Sequence, residues 1–363
     1  MPIPPKAPAH LNKRIAVKFG TLSHEPLVDA EGNLAGRGAG PVLVGRLLRL
    51  FPRPILVGPL QRRCNGFDQQ PLEFIDGDST IVINMDVIDS PLVWTLLKQN
   101  ATEPRVMNFI WRNLSEYPGT VAQASLGLAF GLFPTFANSE RTAEEVRELL
   151  GTWTVPTLAD KAIIGWENLG IHLPRVRPRT TPKIPVVLYP AVTLARRKRP
   201  DVFMRVVSAV AARTPITVEM RLLEKDLVTE KAMKISREKW TWVGPLGTRE
   251  SYWKQLAHTT AFLATSADES YGLQPLEALA AGAIGVFPNL PWARALLPEG
   301  YPFLYDSEEQ AEEMLHRVVT DPEGCKRQIA ATSGDLDAWI RNRHSDDSFE
   351  RAIEGYVSKW FGA

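Results

Sequence analysis

The chain has 363 residues, more than the roughly 250–300 that a single hydrophobic core fills, so two domains are expected. Hydrophobic residues make up 44%, charged residues 23%, and the formal net charge is +1; that is ordinary globular composition, with no global field to draw nucleic acid or an anionic membrane. Two distant cysteines, Cys64 and Cys325, make neither a disulfide framework nor a zinc spacing, and they fit a reducing compartment.

The N-terminus, MPIPPKAPAH, is proline-rich without the apolar centre of a signal peptide and reads as a frayed tail. No run approaches the ~18 consecutive apolar residues of a membrane span, so the expected location is cytoplasmic. Short apolar runs at 15–19, 55–57, 81–84, 106–111 and 132–136 predict buried strands. Helical patterns at 41–50, 91–98 and 142–150 lie between them. This βαβα rhythm predicts a parallel sheet covered on both faces. Gly36, Gly38 and Gly40 precede Pro41, placed at the first helical position, but the pattern is not the dinucleotide fingerprint. Asp86 and Trp111 to Asn113 follow strands and read first as packing or capping residues.

Pro174, Pro178, Pro182 and Pro185 then stud the basic stretch LPRVRPRTTPKIP. Proline at that density continues neither a helix nor a central strand, so 177–185 is a linker with solvated arginines. The rhythm restarts with strands at 186–189, 216–220, 240–243, 261–265 and 284–287 and helices at 201–213, 249–258, 273–281 and 308–319. The expected domains are 1–176 and 186–345, followed by a terminal helix in 346–363. That helix has one apolar face of Phe349, Ile353, Tyr356, Val357 and Trp360. It docks either on the second domain or back on the first. The fold class is therefore α/β, with two Rossmann-like doubly wound domains facing across a cleft at the carboxyl ends of their strands.

The segment AFLATSADESYGLQPLEALAAGAIGVFPN carries the chemistry. A strand runs into a polar loop, Gly272 permits a tight turn, and a helix begins at Leu273. The backbone N–H groups of Gly272, Leu273 and Gln274 form an anion site suited to a diphosphate. Glu269 and Glu277 flank it. Carboxylates beside phosphate are costly unless they accept from hydroxyl donors, which ribose and hexose supply. Upstream, Arg196, Arg197 and Lys198 crowd the start of another helix, where positive charge opposes the macrodipole and a bound anion would relieve it. Lys198 is expected at an exposed loop edge. Trp240 and Trp242 read as packing residues. His24, His172 and His258 show no metal spacing, and no Asp-x-Asp metal motif or nucleophile elbow is present.

Glu269, Tyr271, Gly272, Leu273, Glu277, Ala278, Ala280 and Gly282 together resemble the donor-site signature of the retaining glycosyltransferases of group 1, which have the GT-B fold. The continuation from Pro288 is similar to that family's donor-domain ending and to the tail of transferases that glycosylate queuosine in tRNA; the first half lacks the latter's pattern. The resemblance implies a UDP- or GDP-sugar as donor, with no separate cofactor and no metal. Glu277 would hold the ribose, Glu269 the sugar and Lys198 the diphosphate. Tyr271 would line the donor site. Val243 and Gly244 would flank the base through backbone groups, and Gly38 and Gly40 would form an acceptor-side loop. The chain departs from the family at Thr193, where an arginine is expected; Arg196 or Arg197 would replace it. It departs again at MRLLEKD, which lacks a glycine turn. The acceptor is left open among glycan, small molecule, protein and nucleic acid. Arg46, Arg49, Arg53, Arg62 and Arg63 would make a basic groove if modified DNA or tRNA were the acceptor. A non-catalytic nucleotide-sugar-binding protein is the other alternative.

Overall fold

A computed structural model describes residues 13–20, 27–36 and 38–362. The N-terminal tail, His24 and Arg37 of the glycine loop lie outside the described residues. The chain divides into two compact units. Unit 1 runs to Asn168 and resumes at Ser348; unit 2 is Leu169–Asp347.

In unit 1 the strands are β1 (Arg14–Lys18), β2 (Ile55–Val57), β3 (Arg62–Arg63), β4 (Asp68–Gln70), β5 (Thr80–Asn84), β6 (Arg105–Ile110), β7 (Thr135–Ala137) and β8 (Ile164–Trp166). They form one sheet in the order β3-β4-β2-β1-β5-β6-β7-β8. All neighbours are parallel except β3 and β4. The central strand β5, TIVIN, is buried at every position, as expected of a strand covered on both faces. The sequence expectation of a strand over 132–136 is corrected. Residues Thr120–Leu132 are helical and β7 starts at Thr135. The run TVAQASLGLAFGL is apolar almost throughout, so its 3.6-residue period is blurred.

Helix Ala39–Leu50 begins two residues earlier than expected, so Pro41 is its third residue. The terminal helix Asp346–Phe361 buries Phe349, Ile353 and Val357 completely within unit 1. Phe349 stands 5.8 Å from Phe109 and 5.6 Å from Phe136, ring to ring. Arg46 lies 4.2 Å over the same ring and donates to Glu350 at 3.1 Å. Arg62 donates to Gln69 at 2.9 Å and to the Asp29 carbonyl at 3.0 Å. Two members of the proposed basic groove are thus engaged in the fold.

Unit 2 holds β9 (Val186–Leu188), β10 (Thr217–Leu222), β11 (Thr241–Pro245), β12 (Ala261–Leu263), β13 (Ile284–Pro288) and β14 (Leu304–Tyr305). The order is β11-β10-β9-β12-β13-β14, parallel throughout. The segment 177–185 lies on this unit. Arg179 donates to the carbonyls of Ala281 and Thr259 at 3.0 and 2.9 Å, and the Thr180 N–H donates to Ala257 at 3.0 Å. Arg179, expected as a solvated charge, instead ties down two loop ends. Among the described residues no helix is long and apolar enough to cross a membrane.

Candidate functional site

The order of unit 2 reverses between β9 and β12: the chain leaves β9 toward β10 on one side and leaves β12 toward β13 on the other. Open α/β sheets bind ligands outside the carboxyl ends of the strands at such a switch point. The two loops that leave these strands carry the residues singled out from sequence.

After β9, a 3-10 turn at Arg196–Lys198 leads into helix Pro200–Arg213 through Arg199, whose φ of 46° is left-handed. After β12, the loop carries Ser266 to Tyr271. The Thr265 hydroxyl donates to the Lys198 carbonyl at 2.7 Å, and the Ala267 N–H donates to the Arg197 carbonyl at 2.8 Å. These bonds stitch the loops together and place Lys198 Nζ against Glu269 Oε1 in an ion pair. Ser266 Oγ donates to the same oxygen at 2.6 Å. Lys198 and Glu269 are each only 9% exposed. The expectation of an exposed lysine is therefore corrected, because the ion pair draws the side chain inward.

Gly272 follows with φ 89°, a conformation that a side chain would strain. It caps helix Leu273–Ala280, and no side chain caps that end. The first N–H groups of the helix are thus oriented for an anion. Trp292 supports the loop from below by donating to the Ser266 carbonyl at 3.2 Å. The helix ends before Gly282, at φ 80°, as a left-handed terminal residue does.

Glu277 lies inward on this helix and is 6% exposed. The Arg249 guanidinium grips it, pairing Nη2 with Oε1 and setting Nη1 at 3.4 Å from Oε2. Burial opposes the Arg249 charge, but the Glu277 carboxylate outweighs it and the arginine pKa is raised. Tyr252, beneath the Arg249 guanidinium, is buried; burial first and the Glu277 charge second push its pKa well above the usual value. Sequence reasoning missed Arg249. The signal was available: it is the first residue of helix Arg249–Leu256, a position where positive charge opposes the macrodipole.

Thr193 is turned toward Asp226, donating from Oγ1 to Oδ1 at 3.1 Å, while the Leu194 N–H donates to the same oxygen at 2.9 Å. Tyr189 donates to the Thr193 carbonyl at 3.0 Å. Arg196 and Arg197 are exposed on the adjoining turn. The Tyr271 phenol points to the far side of its loop. It accepts from the Gly170 N–H at 3.1 Å and bonds His344 Nδ1 at 2.7 Å. Burial and then the Arg343 charge lower the His344 pKa to about 4. On β11, Val243 is half-buried and Gly244 is buried. A Cβ at Gly244 would fall 2.4 Å from the Trp242 indole, so a side chain there would have to displace that ring.

In unit 1, Gly38 is the N-cap of helix Ala39–Leu50. A Cβ on Gly40 would stand 2.3 Å from the Phe19 ring, which packs 5.8 Å from Trp111. Packing alone accounts for glycine at 40. At this unit's own switch point, β1 beside β5, Lys18 donates to Asp89 at 2.7 Å and to the Gly20 carbonyl at 2.8 Å. That pair, with a buried lysine and a half-buried aspartate, carried no signal in the sequence.

Two doubly wound units on largely parallel sheets, together with the matches that follow, place the chain in the GT-B class of α/β fold. Solved structures of that class match nearly the whole chain. Sucrose-phosphate synthase of Thermosynechococcus elongatus matches with a TM-score of 0.68 at 12% identity, over 96% of this chain and 99% of that one. Anabaena HepE in complex with UDP and glucose matches at 0.66 and 14%, over 96% and 100%. The lipopolysaccharide outer core galactosyltransferase WaaB matches at 0.63 and 14%, over 96% and 99%. No family model and no curated protein matches the sequence.

Proposed function

We propose that the chain is a retaining glycosyltransferase that takes its sugar from a UDP- or GDP-sugar. One observation carries the reading. At the switch point of unit 2, Lys198 and Glu269 meet beside an uncapped helix start, with Glu277 further along the same helix. Buried ions persist where they are paired or have a ligand to meet. The complexes of HepE with UDP and glucose and with UDP-glucose support the same kind of ligand.

In this reading the N–H groups of Leu273 and Gln274 and the Lys198 ammonium take the diphosphate. An ammonium has three donors, so Lys198 can keep Glu269 while meeting a phosphate oxygen. Glu277 accepts from the ribose hydroxyls, steadied by Arg249. Glu269 accepts from the sugar hydroxyls and stabilises positive charge developing at the anomeric carbon. The bond from that carbon to the phosphate oxygen breaks, the acceptor oxygen attacks on the same face, and the departing phosphate oxygen takes the acceptor proton. The protein's contribution is position and electrostatic stabilisation of the leaving diphosphate. The lysine and the helix start supply positive charge there, so turnover is expected to survive chelation of divalent ions by EDTA.

Glu277→Ala tests the ribose contact. Nucleoside diphosphate affinity should fall by roughly 1.5–3 kcal/mol, the scale of hydrogen bonds to a charged group. Unchanged affinity in calorimetry would remove Glu277 from the site.

A further inference from the structure

Glu219 and Arg221 stand two residues apart near the carboxyl end of β10, hence on one face of the sheet. Glu219 is 8% exposed and Arg221 is 9% exposed. Arg221 Nε donates to Glu219 Oε1 at 2.5 Å. Its guanidinium also lies 4.8 Å from the Trp242 ring on β11, and that indole in turn covers Gly244. The guanidinium is therefore held by an ion pair and by an aromatic face. Its amino groups Nη1 and Nη2 nevertheless have no acceptor among the described residues, and Glu219 Oε2 has no donor there. Four of the five guanidinium N–H groups remain for a ligand. These open atoms keep contact with solvent, so a ligand can reach them. The pair thus presents a fixed edge of N–H donors beside a carboxylate acceptor.

Its place relative to the donor site follows from two contacts and one charge effect. A Cβ on Gly247 would lie 3.5 Å from Arg221 Nη1, so the turn at Gly247 lies near that amino group. Two residues further on, Arg249 grips Glu277. The buried Tyr252 lies within electrostatic reach of both Glu219 and Glu277. A nucleoside with its ribose on Glu277 would turn its base toward this edge.

We propose that Arg221 and Glu219 select the base of the donor, taking one whose edge places a carbonyl beside a ring N–H, as in uracil and guanine. This rests on the donor reading above. The guanidinium donates to the carbonyl oxygen, and the ring N–H donates to the open oxygen of Glu219. Adenine and cytosine reverse this polarity. They set an amino group against the guanidinium and a ring nitrogen acceptor against the carboxylate. Trp242 fixes the plane of the guanidinium.

Calorimetry on the full chain with UDP, GDP, CDP, ADP and inorganic pyrophosphate tests this. The natural protein should bind UDP or GDP ~10- to 100-fold more tightly than CDP and ADP, the scale of one good base-edge pairing. Comparing UDP with GDP shows which of the two bases fits. The double variant Glu219→Gln with Arg221→Gln strands no charge, and it should lose the preference while keeping its affinity for pyrophosphate. Arg221→Lys keeps the charge without the fork and should also lose it, so the test stands if the double variant does not fold. Equal binding of all four nucleotides by the natural protein, or a preference that survives in the variants, overturns the proposal. Absence of any nucleotide binding would instead overturn the donor reading beneath it.

Discussion

Glu269 and Glu277 lie on one short stretch of chain but have different partners, and their substitutions should separate. Glu269 is held by Lys198 and Ser266, on the loop before the helix. A carboxylate there strengthens its interactions as positive charge develops on the sugar, so its loss should fall on kcat. Glu269→Gln should keep nucleotide affinity and lower single-turnover transfer by about 10²-fold, the scale of losing one electrostatic stabiliser. Turnover equal to that of the natural protein would reduce Glu269 to a structural partner of Lys198. Lys198→Ala is a less clean probe, because it strands a buried carboxylate, a change that costs about 3–5 kcal/mol. Its turnover must be read per folded molecule. The residue types at this site were legible in the sequence, since Glu269, Gly272 and Glu277 stand at fixed intervals around one turn. Their partners were not. Lys198 meets Glu269 across 71 positions and Arg249 meets Glu277 across 28, and only the sheet order brings those loops together.

At the scale of the element, the loop after β12 is held on both sides. Lys198 and Ser266 hold the side with Glu269, while Tyr271 reaches His344 and Gly170 on the other. His344 is buried, and its pKa falls from 6.5 to about 4 through burial and the nearby Arg343 charge. The folded chain keeps this ring neutral, whereas the unfolded chain protonates it below about pH 6.5. The unfolded state therefore binds the extra proton between those two values, and stability falls as pH falls through them. The loss from this group should approach about 3 kcal/mol. Melting curves of the natural protein and of His344→Asn from pH 7 to pH 4 check it: the variant should have the shallower slope. Equal slopes would mean that His344 has the same pKa in the folded and unfolded chains. Long buried strands such as β5 and β6 were legible because apolar residues dominate them, Ile81 to Ile83 in one and Val106, Met107, Phe109 and Ile110 in the other. The pair β3 and β4 was not, since RR and DQQ carry no apolar run, and only pairing with a neighbour makes them strands.

At the scale of the molecule, both units begin with the same winding: β1 beside β5 in one, β9 beside β12 in the other. The repeated rhythm of apolar runs announced two α/β domains. The route of the terminal helix was less legible, because an apolar face states that a helix docks without stating where. Its aromatic face meets Phe109 and Phe136, distant in sequence, in unit 1. The central claim is that unit 2 holds a nucleotide-sugar and releases its sugar from the face it left. Water can stand in for the acceptor, so the test needs no knowledge of the acceptor. UDP-glucose and GDP-mannose, both α-linked, are incubated with the protein, and proton NMR follows the anomeric signal of the first sugar released. The account predicts that one of these donors is consumed and that the α anomer appears first, before mutarotation. Release of the β anomer first, or a donor that binds but is never consumed, would contradict it.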